Sequence, residues 1–246
     1  YKVSLNGGVP KLLNKGNFNT MTYPSDNHRY FVNNFSRVNT TPESHLINSD
    51  GNVIMKLEKA DLSALFESGY QFPETFKAKA DDGITDLYGV IYKPFDFDEN
   101  KKYPLLEYVY PGPQTESVNK SFSVRMDRLD RMAQLGFIVI TLGNRGGHPD
   151  RSKWYHNYGY GNLRDYGLAD KKYVAQQLAN RYDFIEINRV GIYGHSGGGF
   201  MSTAAILVYP DFFKVAYSQA GNHDNSMYNS WWSETHHGIM EETDDD

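Results

Sequence analysis

The residue best placed to do chemistry is Ser196, inside Gly194-His195-Ser196-Gly197-Gly198. A G-x-S-x-G run describes a tight turn from strand to helix. The serine backbone is strained there, so small residues must flank it on both sides. The hydroxyl then projects above a sheet, and the N–H of the next residue, Gly197, points at an oxyanion developing on an attacked carbonyl. Val190–Tyr193 reads as a strand and Phe200–Val208 as a helix, which is the context the pattern needs. The implied chemistry is acyl transfer through a serine nucleophile. A glycine-rich helix start can instead bind phosphate, but no Lys-Ser/Thr pair follows these glycines.

Upstream, Tyr108-Val109-Tyr110-Pro111-Gly112-Pro113 ends an apolar strand in a rigid loop. A tyrosine hydroxyl at such an edge is either an oxyanion donor or the wet end of a core aromatic. A serine nucleophile also needs a histidine base and usually a carboxylate to orient it, which follow the serine in α/β order. Asp224, His223, His236 and His237 are the local candidates. Asp224 follows a strand, but a complete triad from these residues is not the expectation. His195 adjoins Ser196 and is expected to point away from it and pack. Adjacent histidines such as His236-His237 do not converge on one ion, and no third ligand has suitable spacing, so no metal is predicted.

The elements that must position Ser196 follow from the hydrophobic pattern. Residues 1–57 read as short strands between turns, with Phe18–Tyr23 and Tyr30–Phe35 as strands. Leu46-Ile47 and Val53–Leu57 form a hairpin across Ser49-Asp50-Gly51-Asn52. Residues 59–68 read as a short helix, with Asp61 as N-cap and Gly69 as stop. The rhythm then changes to strands at Phe76–Ala80, Leu87–Tyr92, Leu105–Tyr110, Phe137–Leu142 and Phe213–Ser218. Helical spacing lies between them at Arg125–Leu135 and Asp165–Leu178. Such alternation predicts an α/β fold with a mostly parallel sheet, preceded by a small antiparallel β segment. The domain reading is 1–57 for that segment, 58–75 for a linker helix and 76–246 for the α/β part.

Composition narrows the function classes. The 246 residues carry 25 Lys+Arg against 30 Asp+Glu, and Glu-Glu-Thr-Asp-Asp-Asp at the end supplies the whole excess. The rest is formally neutral, which removes the electrostatic case for nucleic acid. No apolar run reaches the ~20 residues of a bilayer span. There is no cysteine, hence no disulfide, thiolate metal site or Cys nucleophile. An opening in strand-like alternation and an acidic, solvated end together read as a piece of a longer protein.

These stretches, in order, resemble the C-terminal part of the prolyl oligopeptidase family, in its dipeptidyl peptidase IV-like branch. Residues 1–57 resemble the last blade of a β-propeller. Tyr103-Pro104-Leu105-Leu106 with Tyr110-x-Gly112-Pro113 resembles the family's oxyanion-tyrosine strand. Asn144-Arg145-Gly146-Gly147 resembles its Asp-Gly-Arg-Gly loop, with Asn for Asp, and Tyr228-x-x-x-Trp232-x-Glu234-x-x-x-Gly238 resembles its pocket segment. The resemblance implies an incomplete α/β-hydrolase fold and peptide cleavage after proline or small residues. Ser196 would be acylated, Tyr110 with the Gly197 N–H would hold the oxyanion, and the triad Asp and His would lie beyond position 246. Tyr228 and Trp232 would wall the substrate pocket, and Asn144 would stand on the binding side. It implies a peptide substrate, no cofactor, and a homodimer as a form open to the full-length protein. Compartment is not fixed, with periplasmic or secreted relatives the guide. Esterase or other acyl-hydrolase activity on the same fold stays open, as does a catalytically silent binding homologue.

Overall fold

The computed structural model describes residues 1–14, 16–113, 115–123, 128–163 and 166–239. The acidic end and residues 125–127 of the expected Arg125–Leu135 helix lie outside the described residues, as does Asp165. Contacts divide the chain into two compact units, Tyr1–Pro73 with Asn119–Asp127, and Glu74–Val118 with Arg128–Asp246.

The first unit holds a four-stranded antiparallel sheet in sequence order: β1 (Asn19–Pro24), β2 (Tyr30–Ser36), β3 (Glu43–Asn48) and β4 (Val53–Lys59). β1 runs through Pro24, where the sequence suggested a break; an edge strand tolerates proline because its outer N–H needs no partner. Four strands bury little, and β4 is exposed along its length. Helix α1 is shorter than expected, Ser63–Glu67, and buries no residue. Asp61 is not its N-cap: that position is Leu62, and the Asp61 carboxylate accepts from the Ser63 N–H and hydroxyl in a local turn.

The second unit is built on a six-stranded sheet. Its strands are β5 (Glu74–Lys79), β6 (Asp86–Tyr92), β7 (Tyr103–Tyr108), β8 (Ile138–Leu142), β9 (Ile185–His195) and β10 (Phe213–Gln219), in the order β10-β9-β7-β8-β6-β5. β10, β9, β7 and β8 run parallel, while β6 and β5 join antiparallel. Ile138-Val139-Ile140-Thr141-Leu142 is buried at every position, as a continuous apolar run in a sheet interior must be. Helix α2 (Arg128–Ala133) and two short turns of helix, α3 (Lys153–His156) and a 3-10 turn at Asn157–Gly159, precede α4 (Leu168–Arg181). α4 buries Leu168, Val174, Ala175 and Leu178. Its Gln177 amide donates to Lys79 O at 2.8 Å and accepts from Lys79 N at 3.0 Å, covering backbone groups of the β5 edge. The opposite edge is open: Val215 and Tyr217 on β10 are 59% and 61% exposed beside a groove of about 560 Å³.

Helix α5 (Gly197–Val208) begins at the residue after Ser196, three residues earlier than hydrophobicity alone marks. Helix α6 (Ser230–His237) was not read from the sequence as a helix. Its start signal was present: the Asn229 side chain accepts from the Trp232 N–H, and Gly238 ends it at φ +88°.

Candidate active site

The carboxyl ends of β7, β8, β9 and β10 all face one side of the sheet, where open α/β sheets hold their ligands. Ser196 sits there at φ +56°, ψ −120°, a region side chains avoid. The surroundings over-determine the strained backbone. The Ser196 N–H donates to Gln219 O at 2.8 Å, and Ser196 O accepts from the Phe200 N–H at 3.0 Å. Close approach explains the glycines: a Cβ on Gly194 would lie 2.4 Å from Val109 O, and one on Gly198 only 2.0 Å from the same oxygen. The turn is wedged against Val109, which follows β7 and precedes Tyr110, so Ser196 and Tyr110 meet across one packed contact.

A cavity of about 190 Å³ opens beside Ser196, lined among others by Tyr110, Gly197, Leu163, Tyr228, Trp232 and His237. Five residues that the sequence reading assigned to the site, Ser196, Tyr110, Gly197, Tyr228 and Trp232, thus meet in one cavity, and the candidate His237 joins them. Tyr228 and Trp232 stand edge to face, with ring centroids 5.6 Å apart. Tyr110 lies just past the end of β7 and is half-buried. An apolar wall next to a strained hydroxyl, with a phenol and a backbone N–H beside it, suits attack on a carbonyl and stabilisation of the resulting oxyanion.

Asn144 is the exception. It is 3% exposed and is not among the cavity's lining residues. Its side-chain N–H donates to Arg145 O at 2.8 Å, and it also hydrogen-bonds Tyr166. It shapes the turn behind the site instead of facing a ligand. Next to it, Asp170, fully buried, accepts from the Arg145 backbone N–H at 3.0 Å and from its guanidinium at 2.6 Å. It also accepts from the Asp81 N–H at 3.0 Å. Asp82 completes the pair with Arg145 at 3.2 Å. Partial burial pushes the Asp82 carboxyl up, but hydrogen bonds from Thr85 and Ile84 and the Arg145 charge outweigh it and hold the group at about 2.

The other sequence candidates separate. Asp224 is exposed, and its carboxylate is taken by the Ser226 N–H and hydroxyl, which hold it below the usual carboxylate range. His195 is exposed, not packed, and lines the groove over β7, β9 and β10 instead of the Ser196 cavity. His223 is exposed, with its ring 5.9 Å from Phe200. His237 reaches the Ser196 cavity; its Nε2 is shut off from water and has no hydrogen-bond partner among the described residues, and desolvation pushes its pKa down. Asn222 and Asn225, joined at 3.0 Å, also line the cavity. Nothing in their type or spacing marked them, since the loop that delivers them is shaped by the end of β10.

Among the described residues no helix is long and apolar enough to cross a membrane. Comparison with known proteins follows the same lines. The model of the prolyl oligopeptidase family matches residues 122–246. Human dipeptidyl peptidase 8 is 40% identical over 152 residues, covering 61% of this chain and 17% of that protein. A protein assigned as dipeptidyl-aminopeptidase B in Aspergillus clavatus is 31% identical over 202 residues, 79% of this chain and 21% of the relative. A crystal structure from Bacteroides ovatus, assigned as a dipeptidyl aminopeptidase IV, is similar with a TM-score of 0.79 at 28% identity. It covers 90% of this chain and 31% of the other. The chain therefore spans 17% to 21% of the length of these two curated relatives. The architecture is that of an α/β-hydrolase preceded by antiparallel strands of a propeller. With strained Ser196 at the head of α5 and a family match over residues 122–246, the chain belongs to the prolyl oligopeptidase family.

Proposed function

We propose that the protein is a serine peptidase of dipeptidyl peptidase type. The observation that carries this reading is the convergence of Ser196, strained at φ +56°, with Tyr110, Gly197, Tyr228 and Trp232 on one cavity. Ser196 Oγ attacks the substrate carbonyl and forms an acyl-enzyme, which water then hydrolyses. The Tyr110 hydroxyl and the Gly197 N–H hold the oxyanion of the tetrahedral intermediate. Tyr228 and Trp232 flank the side chain before the scissile bond, and a flat, compact group such as proline suits an edge-to-face aromatic pair. The general base and its carboxylate lie beyond Asp246 in this reading, in keeping with relatives several times longer. No cofactor enters.

The test is labelling of the full-length protein by a fluorophosphonate, with the adduct mapped, and hydrolysis of a dipeptidyl-proline anilide. The expected result is an adduct on Ser196 and loss of both signals in Ser196→Ala. Anilide hydrolysis surviving that change would overturn the proposal, and turnover of short acyl esters alone would favour an esterase. His237 in the same cavity favours a second reading, in which it is the base. His237→Gln then abolishes labelling, whereas in the first reading labelling persists.

A further inference from the structure

We infer that Glu116 is a positioning residue, whose carboxylate locks the segment carrying Tyr110 onto the glycine turn after β8. The inference rests on the peptidase reading, with the Tyr110 hydroxyl as oxyanion donor.

Tyr110 is the first residue beyond the last sheet bond of β7, from the Val109 N–H to Tyr193 O at 2.9 Å. Past it the chain reverses, with the Gly112 N–H donating to Tyr110 O at 3.0 Å. The returning limb supplies the other anchor: Ser117 Oγ accepts from the Tyr110 N–H at 3.1 Å. Ser117 is fixed by Thr141, a fully buried residue of β8 whose hydroxyl donates to Ser117 O at 2.6 Å. The orientation of Tyr110 therefore depends on where residues 115–118 lie.

Glu116 decides that. Its side chain crosses to the turn at Gly143–Gly147 and fills the space those glycines leave. A Cβ on Gly143 would meet its Oε1 at 2.7 Å, and one on Gly147 at 2.5 Å. The Tyr155 hydroxyl donates to Oε1 at 2.5 Å. Burial and the nearby Glu116 charge push the Tyr155 phenol up, so it keeps its proton and remains a donor. Lys171 lies behind, 1% exposed, donating to Leu142 O at the root of the same turn and attracted by Glu107, Glu116 and Asp170. Of these carboxylates Asp170 is occupied by Arg145, and that of Glu107 has no hydrogen-bond partner among the described residues. A leucine would fill the volume at 116. A carboxylate there also accepts from a phenol and attracts the Lys171 amine, and so fixes the loop's direction as well as its depth.

The experiment is a double-mutant cycle on the full-length protein, reading kcat and KM for a dipeptidyl-proline anilide and the rate of fluorophosphonate acylation. Tyr110→Phe is expected to lower kcat about 10²-fold or more, as loss of one oxyanion donor does. Glu116→Ala is expected to lower kcat by about 10²-fold, the effect of a ~1 Å misplacement. KM should move far less. The double variant is expected to be no slower than Tyr110→Phe, because Glu116 acts only through Tyr110. Gly147→Ala drives the Glu116 carboxylate out and should cost at least as much as Glu116→Ala; because its Cβ also meets Asn144 O at 2.9 Å, only that smaller part of its loss should remain in a Glu116→Ala background. If Glu116→Ala does not fold, Gly147→Ala and Glu116→Gln carry the test through the same cycle. Losses that multiply in the double variant, or an unchanged kcat on removing the carboxylate, would overturn the inference. Activity surviving Ser196→Ala is a different outcome, and would remove the peptidase reading itself.

Discussion

Alanine at Gly198 and alanine at Gly197 are predicted to act in opposite directions, although the two glycines are neighbours in the first turn of α5. Neither has positive φ, so neither is held by backbone conformation. At Gly197 a Cβ would find one neighbour, Pro111 O at 3.6 Å, an ordinary contact. At Gly198 it would lie 2.0 Å from Val109 O and 3.0 Å from Val109 C. Contact distance is roughly 3.5 Å, so the end of β7 must retreat by about 1.5 Å. Both parties are backbone, and no rotamer change relieves them. Against this stands the helical preference of alanine over glycine, about 1 kcal/mol. Overpacking costs about 1–3 kcal/mol, so Gly198→Ala should lose up to about 2 kcal/mol net, whereas Gly197→Ala should gain up to about 1 kcal/mol. Tyr110 follows Val109 directly and would be carried along, so kcat of Gly198→Ala should also fall about 10²-fold. Urea midpoints at constant m-value give the stabilities, and anilide turnover gives kcat. Equal midpoints for the two variants, or wild-type turnover in Gly198→Ala, would refute the packing of β7 against the serine turn.

Asp170→Asn should destabilise the protein by about 3–5 kcal/mol, because it strips a buried guanidinium of its main partner; thermal unfolding tests this, and a loss under 1 kcal/mol would contradict the geometry. Complete burial pushes the Glu107 carboxyl up to about 8 from an ordinary 4.5, against the pull of Lys171. Between those two values the unfolded chain has released a proton that the folded chain keeps, so this stabilising contribution, full below pH 4.5, is lost as pH rises toward 8. Glu107→Gln should remove that part of the slope, and parallel midpoint-versus-pH curves for the two proteins would disprove the assignment. Trp232→Ala opens one wall of the cavity and should raise KM for the proline anilide by about 10-fold or more with a smaller change in kcat; a pure kcat loss would place the indole elsewhere in the reaction.

Residues 190–208 show how far local pattern reaches. An apolar strand, flanking glycines and an apolar helix already define the serine turn, because the positive φ falls on Ser196 itself and the small residues it needs lie within two positions of it. Tyr110 was visible for a similar reason: Pro111-Gly112-Pro113 ends a strand wherever it occurs. The alternation of strands and helices likewise announced the α/β class. Helix α6 was overlooked because it is only eight residues long, buries none of them, and is announced by Asn229 and Gly238 at its ends.

Other features belong to the assembled molecule. Asn144 looks like a binding residue beside Arg145, but it lies 3% exposed behind the site because β8 delivers its turn beneath Tyr166. Glu116 reads as one polar loop residue among several until the turn at Gly143–Gly147 and the Tyr155 hydroxyl close around it. Asn222 and Asn225 meet Ser196 only where β10 pairs with β9. The sequence by itself marked the serine turn, the tyrosine at the end of its neighbouring strand and the fold class, since those show in small residues around one position, a Pro-Gly-Pro stop and hydrophobic periodicity. Tertiary structure decided which polar groups face the cavity and which support it, and which carboxyl keeps its proton, because burial and field are sums over residues distant in the chain.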